Sequence, residues 1–409
     1  MNSYKRLKFA CYTTNVTMSV VANLSPVLFI TFRTLYGISY SKLGLLVLIG
    51  FVTQLAIDLV FSFFSHKFNI EKTVKLTPVI ATAGLLIYAL YPYIFPNSVY
   101  VGLVVGTLVF ASSGGLAEVL ISPVIAALPA KDPDREMSKL HSIYAWGVVG
   151  VVIASTLFLL CFGGENWQFL ALLFTIIPII SALLFSKTDM PKMETQKQAS
   201  GVLDSLKNKK LWLCFFAIFV GGSAECTMSQ WSSSYLERAL GIEKVWGDIF
   251  GVALFGATLG LGRTLYAKFG KNISKVLVIS AISATACYLT AALSGSAVIG
   301  LLACALTGIS TAMMWPGCLI VAQDYFPLGG VFIFAMMASG GDLGASVGPQ
   351  LIGIITDLAL ELPSCAELAS TLSITTEQLG MKLGMLVGAI FPLAAIFIYL
   401  YIHKTKPNR

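Results

Sequence analysis

The stretch VYVGLVVGTLVFASSGGLAEVLISPVIAA, Val99 to Ala127, decides the fold. In it the one charged side chain is Glu118. A helix rises about 1.5 Å per residue, so about 20 mostly apolar residues cross the hydrocarbon core of a bilayer. Strands of a membrane barrel would be about ten residues with strict alternation, and that pattern is absent. Working outward, eleven further runs have the same character: 7–34, 41–64, 74–95, 139–161, 167–185, 211–236, 246–266, 275–293, 297–323, 331–358 and 381–402. The reading is an all-α membrane protein with twelve transmembrane helices.

Composition agrees. Mean hydropathy is +0.82, and charged residues make up 11% of the 409, against about 25% in soluble domains. The first apolar run is longer than the roughly 7–15 residues of a signal-peptide core, so it is expected to stay as the first membrane helix. None of the eight cysteines has a ligand spacing such as CxxC, and seven lie in apolar runs. They read as small buried apolar residues, with no disulfide framework, metal site or cofactor expected.

Loop charge sets the expected orientation. With the N-terminus cytoplasmic, that side collects 21 Lys and Arg, among them Lys5, Lys67, Lys131, Lys207, Lys268 and Lys404, against Arg33, Lys42, Arg238, Lys244 and Lys382 opposite. Both termini are therefore expected to be cytoplasmic. The net charge of +7 then needs no nucleic-acid partner. The polar break in the middle of the chain divides it into 1–185, a cytoplasmic linker 186–210, and 211–409, with six runs on each side. Weak internal matches suggest a repeat: Lys67-Phe68 ends the second run as Lys268-Phe269 ends the eighth, and Pro123 and Pro316 fall late in the fourth and tenth. Paired halves are common in transporters.

These residues carry a resemblance. The chain resembles the major facilitator superfamily, whose loop signature after helices two and eight is Gly-x-x-x-Asp-Arg-x-Gly-Arg. Here the two copies are degraded: Ser62, His66, Lys67 and Asn69 in the first, and Arg263, Ala267, Lys268 and Gly270 in the second. Local strings are similar to the fucose-permease-like branch of bacterial sugar transporters. They are Gly115-Leu116-Ala117-Glu118 with Ser122-Pro123, Met137-Ser138 with His141 and Trp146, Met314-Trp315-Pro316, and Gly340-Gly341-Asp342-Leu343-Gly344 followed by Gly348-Pro349. The resemblance implies two pseudo-symmetric six-helix bundles (the major facilitator fold), alternating access, and a bacterial plasma or inner membrane. In the fucose permease, acids of the first and fourth helices carry proton coupling. Glu118 matches the second of these, whereas the first helix here offers Asn15 and Asn23.

Ionisable groups inside a membrane cost about 2.5–3.5 kcal/mol or more on insertion scales and tend to mark a pathway. The candidates are Asp58, Glu118, Glu225, Arg263 and Asp342. Glu225 and Asp342 fall near the middle of their runs, and Glu118 lies on the cytoplasmic side of centre. On the seventh helix Glu225, Ser229, Ser232 and Ser233 share an arc, read equally as a cavity face or as interhelical hydrogen bonding. Asp342 is read equally as a site residue and as a helix contact. Asp58, Lys67, His141 and Lys268 read as gate or structural residues. Asn23, Ser229, Gln230 and Trp315 complete the candidate substrate set, with Trp315 offering an aromatic face for a sugar ring. Trp231 reads as an interfacial anchor. Four acids compete to pair with Arg263, Asp58 being the nearest in expected depth.

The function expected is secondary active transport of a small polar solute, a sugar or sugar-like compound, by proton-coupled symport, with sodium as the other candidate coupling ion. A multidrug or metabolite exporter of the same fold is the alternative. No nucleophile elbow, Walker loop, HExxH or Cys/His cluster points to an enzyme. The expected partners are the solute, the ion and the lipid bilayer, and the expected state is a monomer.

Overall fold

The computed structural model describes residues 3–64, 67–126, 128, 133–190, 207–270, 272–326 and 330–405. Among these there is no strand. The helices are α1 Ser3–Val27, α2 Phe29–Tyr36, α3 Tyr40–Phe64, α4 Ile70–Ile94, α5 Val99–Ala126, α6 Pro133–Phe162, α7 Trp167–Phe174 and α8 Ile176–Ser186. There follow α9 Lys209–Leu240, α10 Leu254–Phe269, α11 Ile273–Leu293, α12 Ala297–Thr311, α13 Met314–Tyr325, α14 Gly330–Glu361, α15 Pro363–Thr371, α16 Thr376–Gly388 and α17 Ile390–Thr405.

Each of the twelve apolar runs becomes a helix or a nearly continuous pair. Ten stretches among the described residues are long and apolar enough to cross a membrane, and the bent pair α1–α2 makes an eleventh. That pair turns by 43° at Leu28, between the end of α1 at Val27 and the start of α2 at Phe29. The remaining run falls in α6. Among the described residues its apolar part is Trp146–Phe162. Of the central linker, 191–206 lies outside the described residues. The polar stretch between the last two spans folds further than its composition suggests. Pro363 opens α15 at a first-turn position, and Thr375 and Gln378 form a reciprocal capping box at the start of α16.

The chain divides into two compact units. The first takes Met1–Thr31 and Ile49–Ala199, the second Phe32–Leu48 and Ser200–Arg409. The pairing of helices recurs within each. In the first, α4 packs on α5, and α1 on α5, α6 and α8. In the second, α11 packs on α12, and α9 on α13, α14 and α17.

Close backbone approach fixes these pairs. On α14, Gly340, Gly344 and Gly348 form one stripe. A Cβ at Gly340 would stand 2.9 Å from Phe215 O, one at Gly344 2.9 Å from Phe219 C, and one at Gly348 3.0 Å from Ser223 O, all on α9. The glycine-rich string around Asp342 is therefore a helix contact of the small-residue kind. In the first unit α1 is tied to α6 by Asn15 Nδ2 donating to Leu140 O at 2.7 Å and Ser19 Oγ donating to Tyr144 O at 2.9 Å.

Candidate functional site

In the first unit the contact between α3 and α5 places two acids together. A Cβ at Gly115 would lie 3.0 Å from Gln54 O and 2.9 Å from Ile57 Cβ, so the helices meet there as only glycine permits. About one turn further along each helix, the carboxylates of Asp58 and Glu118 approach within 4.8 Å. Asp58 is 3% exposed, whereas Glu118 is exposed. Two carboxyl groups at that separation are close enough for one water to bridge them, and for one to feel the charge of the other.

In the second unit α9, α10 and the broken span α12–α13 meet around an ion pair. Arg263 Nη2 donates to both carboxylate oxygens of Glu225, at 3.0 and 3.2 Å, and Arg263 Nε donates to Ala312 O at 3.2 Å. Burial is unequal: the Arg263 side chain is 41% exposed and that of Glu225 14%. The pair carries no net charge and keeps one open side. Ser229, one turn beyond Glu225, is also partly exposed, with its hydroxyl donating to Cys226 O at 3.2 Å. The Trp315 ring packs where α9 and α14 are thinnest. A Cβ at Gly222 would stand 3.1 Å from Trp315 Cζ3, and one at Gly341 2.6 Å from Trp315 Cζ2.

The expected serine arc is divided. Glu225 and Ser229 are accessible, but Ser232 and Ser233 are buried. Ser233 Oγ donates to Asp248, a fully buried carboxylate that also takes Lys244 Nζ at 2.9 Å. Asp248 lies in the π-helical turn Gly247–Ala253 that precedes α10. Sequence reading passes over it, although its i,i+4 spacing from Lys244 is a usable signal. Trp231 is not an interfacial anchor. It is fully buried, and its Nε1 donates to Pro349 O at 2.8 Å, because α14 covers that face of α9.

Asn23 is 6% exposed, and its Nδ2 donates to Ser19 O of its own helix at 2.9 Å. Gln230 is 7% exposed, and its side-chain oxygen has no hydrogen-bond partner among the described residues. Asp342 is 3% exposed, one residue along α14 from the Gly341 that meets Trp315. Lys67 and Lys268 are exposed and rest over the neighbouring rings of Phe64 and Phe269, at 5.1 and 5.3 Å. The side chain of His141, like His66 of the degraded loop, lies outside the described residues.

A second polar cluster escapes the sequence reading. Arg33 lies 3.9 Å over the Tyr40 ring and donates to Glu377 at 3.3 Å, and Tyr40 donates its hydroxyl to the same carboxylate oxygen at 2.5 Å. The Asp357 carboxylate accepts Tyr40 N at 3.1 Å and Ser41 N at 2.7 Å, capping α3. Arg238 donates to Thr34 Oγ1 at 3.1 Å. Residues hundreds of positions apart carry this cluster, so spacing could not reveal it.

No curated protein matches the sequence. Solved structures share the fold at low identity. A point mutant of the nucleoside transporter NupG superposes with a TM-score of 0.74 at 13% identity, over 98% of this chain and 100% of its own. A D-xylose–proton symporter gives 0.69 at 14%, over 96% and 97%. A point mutant of the fucose:proton symporter FucP of E. coli gives 0.59 at 16%, over 96% and 99%. The sequence profile of the Major Facilitator Superfamily matches residues 10–349. With the all-helical multi-pass fold and charged groups set inside it, that match makes the chain a member of the Major Facilitator Superfamily, a membrane transporter and not an enzyme.

Proposed function

We propose that the protein is a secondary active transporter of a small polar solute, a sugar or sugar-like compound, working by proton-coupled symport with alternating access. In this reading 1–185 and 211–409 are two six-helix bundles joined by the linker 186–210, both termini are cytoplasmic, and the membrane is the bacterial plasma membrane. The protein works as a monomer.

The observation that carries the reading is the Asp58–Glu118 pair. Within a membrane-spanning helix an exposed carboxylate is costly unless it serves a path, and Glu118 has a second carboxyl within 4.8 Å. A proton held there is taken from one side and released to the other as the helices rearrange. For the solute, the Glu225–Arg263 pair supplies acceptors and donors with no net charge, beside Ser229 and within reach of the Trp315 region. That array suits hydroxyl groups and an apolar sugar face better than a cationic drug, because the Glu225 charge is already answered. The solved sugar–proton symporters named above support the substrate class by analogy of fold.

The test uses purified protein in liposomes with a pH-sensitive dye inside. Hexoses, deoxyhexoses, pentoses and sugar acids are added outside, with cationic dyes as the comparison. Lumen acidification that follows one sugar and vanishes in Glu118→Gln supports the reading. Acidification that persists in both Glu118→Gln and Asp58→Asn sinks the coupling assignment. Uptake that needs a sodium gradient and moves no protons replaces the ion. Silence with every sugar, together with a response to cationic dyes, replaces symport by export.

A further inference from the structure

The ion pair of the second unit sits beside a helix break that contains a proline. In a continuous helix Ala312 O would accept the amide hydrogen of residue 316, four positions on. Residue 316 is proline, which has no N–H and whose ring crowds that same carbonyl. The span breaks there: α12 ends at Thr311, α13 begins at Met314, and the ladder resumes with Gly317 N donating to Met313 O at 2.8 Å. The freed carbonyl is answered by Arg263 Nε at 3.2 Å.

Packing brings Arg263 to that point. Along the contact of α10 with α12, Thr258 Oγ1 donates to Ala305 O at 2.7 Å. A Cβ on Gly262 would stand 2.6 Å from Ala312 Cβ, so Gly262 lets α10 approach the break. With Nε held on Ala312 O, the guanidinium plane is fixed, and Nη2 meets both oxygens of Glu225. A guanidinium is a rigid planar fork, so anchoring one donor sets the direction of the others.

We infer that Pro316 is a positioning residue for the solute site: by withholding an amide hydrogen from Ala312 O, it reserves that carbonyl for Arg263 and so aims the guanidinium at Glu225. The inference rests on the reading of Glu225 and Arg263 as solute-binding groups. A bare kink role for Pro316 makes a different forecast. Any helix-weakening residue would then serve, and glycine would replace proline.

Two measurements separate the possibilities. The first follows the Nε–H signal of Arg263 by nuclear magnetic resonance in nanodiscs containing protein labelled with ¹⁵N-arginine, assigned through its absence in Arg263→Lys. In the unaltered protein the signal exchanges slowly with water. In Pro316→Ala and in Pro316→Gly, both of which restore an amide hydrogen, exchange is at least tenfold faster. Unchanged exchange in either folded variant overturns the inference. The second measures solute counterflow in liposomes, using the sugar identified in the acidification assay. Both variants are expected to raise the half-saturating concentration about tenfold, with the maximal rate within twofold. Pro316→Gly transporting as the unaltered protein does, while Pro316→Ala is slowed at saturation, establishes the kink role and overturns the positioning role. Faster exchange with unchanged half-saturation leaves Pro316 as the anchor of Arg263 and removes the ion pair from the solute site, which fails the functional reading and not the geometry.

Discussion

At the residue scale the decisive features are pairs. Glu225 and Arg263 balance each other, so removing one charge is worse than removing both. A fully buried pair broken on one side loses about 3–5 kcal/mol. Here Arg263 is 41% exposed, and water answers part of the stranded charge, so about 1–2 kcal/mol is expected for Glu225→Gln. Melting of detergent-solubilised protein checks this: Glu225→Gln melts lower, and Glu225→Gln combined with Arg263→Gln recovers part of the loss. Equal losses that simply add would mean the pair contributes nothing as a pair. The Asp58–Glu118 pair predicts a different pattern. Glu118→Gln and Asp58→Asn each abolish concentrative uptake, while the protein stays folded and in the membrane and still exchanges solute down its gradient. Both acids were legible as costly intramembrane charges. Their partners were not: depth estimates favoured Asp58 for Arg263, but the packing of α10 on α12 brings Arg263 to Glu225.

At the scale of elements the fold rests on close helix contacts. The stripe Gly340, Gly344 and Gly348 meets the backbone of α9, leaving no room for a branched side chain. Overpacking costs about 1–3 kcal/mol at an ordinary core site, so Gly344→Val is expected to lower the yield of monodisperse protein on fluorescence-detected size exclusion, whereas Gly295→Ala, at an open position, does not. The start of α3 depends on an acid far along the chain. Asp357 accepts Tyr40 N and Ser41 N, the work that a Ser or Asp at the N-cap does locally. Asp357→Ala should lower thermal stability by about 1 kcal/mol, in the range of a lost helix cap, with Asp357→Asn recovering part of it. A melting temperature unmoved in Asp357→Ala would show that water caps the helix as well. Sequence patterns located most of these elements and marked Pro123 and Pro316 as places where a kink is tolerated, without saying which would break its helix. The break before Pro316 follows from proline, yet Pro26 and Pro123 lie inside α1 and α5, which run on past them to Val27 and Ala126. Whether a proline interrupts a span depends on the neighbours available to answer the freed carbonyl, and those are tertiary.

At the scale of the whole molecule, the 21-to-5 distribution of loop cations predicts topology. Green fluorescent protein fused after Arg409 should fluoresce in a bacterial host, and alkaline phosphatase fused at the same point should be inactive. The reverse result would invert the orientation. Four of the five cations expected on the other side have partners in the structure. Arg33, Arg238, Lys244 and Lys382 are each engaged, with Glu377, Thr34, Asp248 and Ser294 O respectively, and so act as parts of the packing.

Hydropathy and length were enough to establish a multi-pass helical membrane protein, because a bilayer demands internally satisfied backbone over about 20 residues, and that demand is written locally. The central polar break with six apolar runs on each side and the internal matches carried the expectation of two related halves, and the cost of burying charge picked out Asp58, Glu118, Glu225, Arg263 and Asp342. Only the tertiary structure decided which of these face one another. It joined Glu225 to Arg263, set Asp58 beside Glu118, buried Trp231 under Pro349 and left Ser233 to Asp248. The physical reason is that a helix fixes the spacing of its own side chains but not which neighbouring helix they meet. That choice is made by glycines, which let backbones touch, and by a carbonyl that proline leaves open.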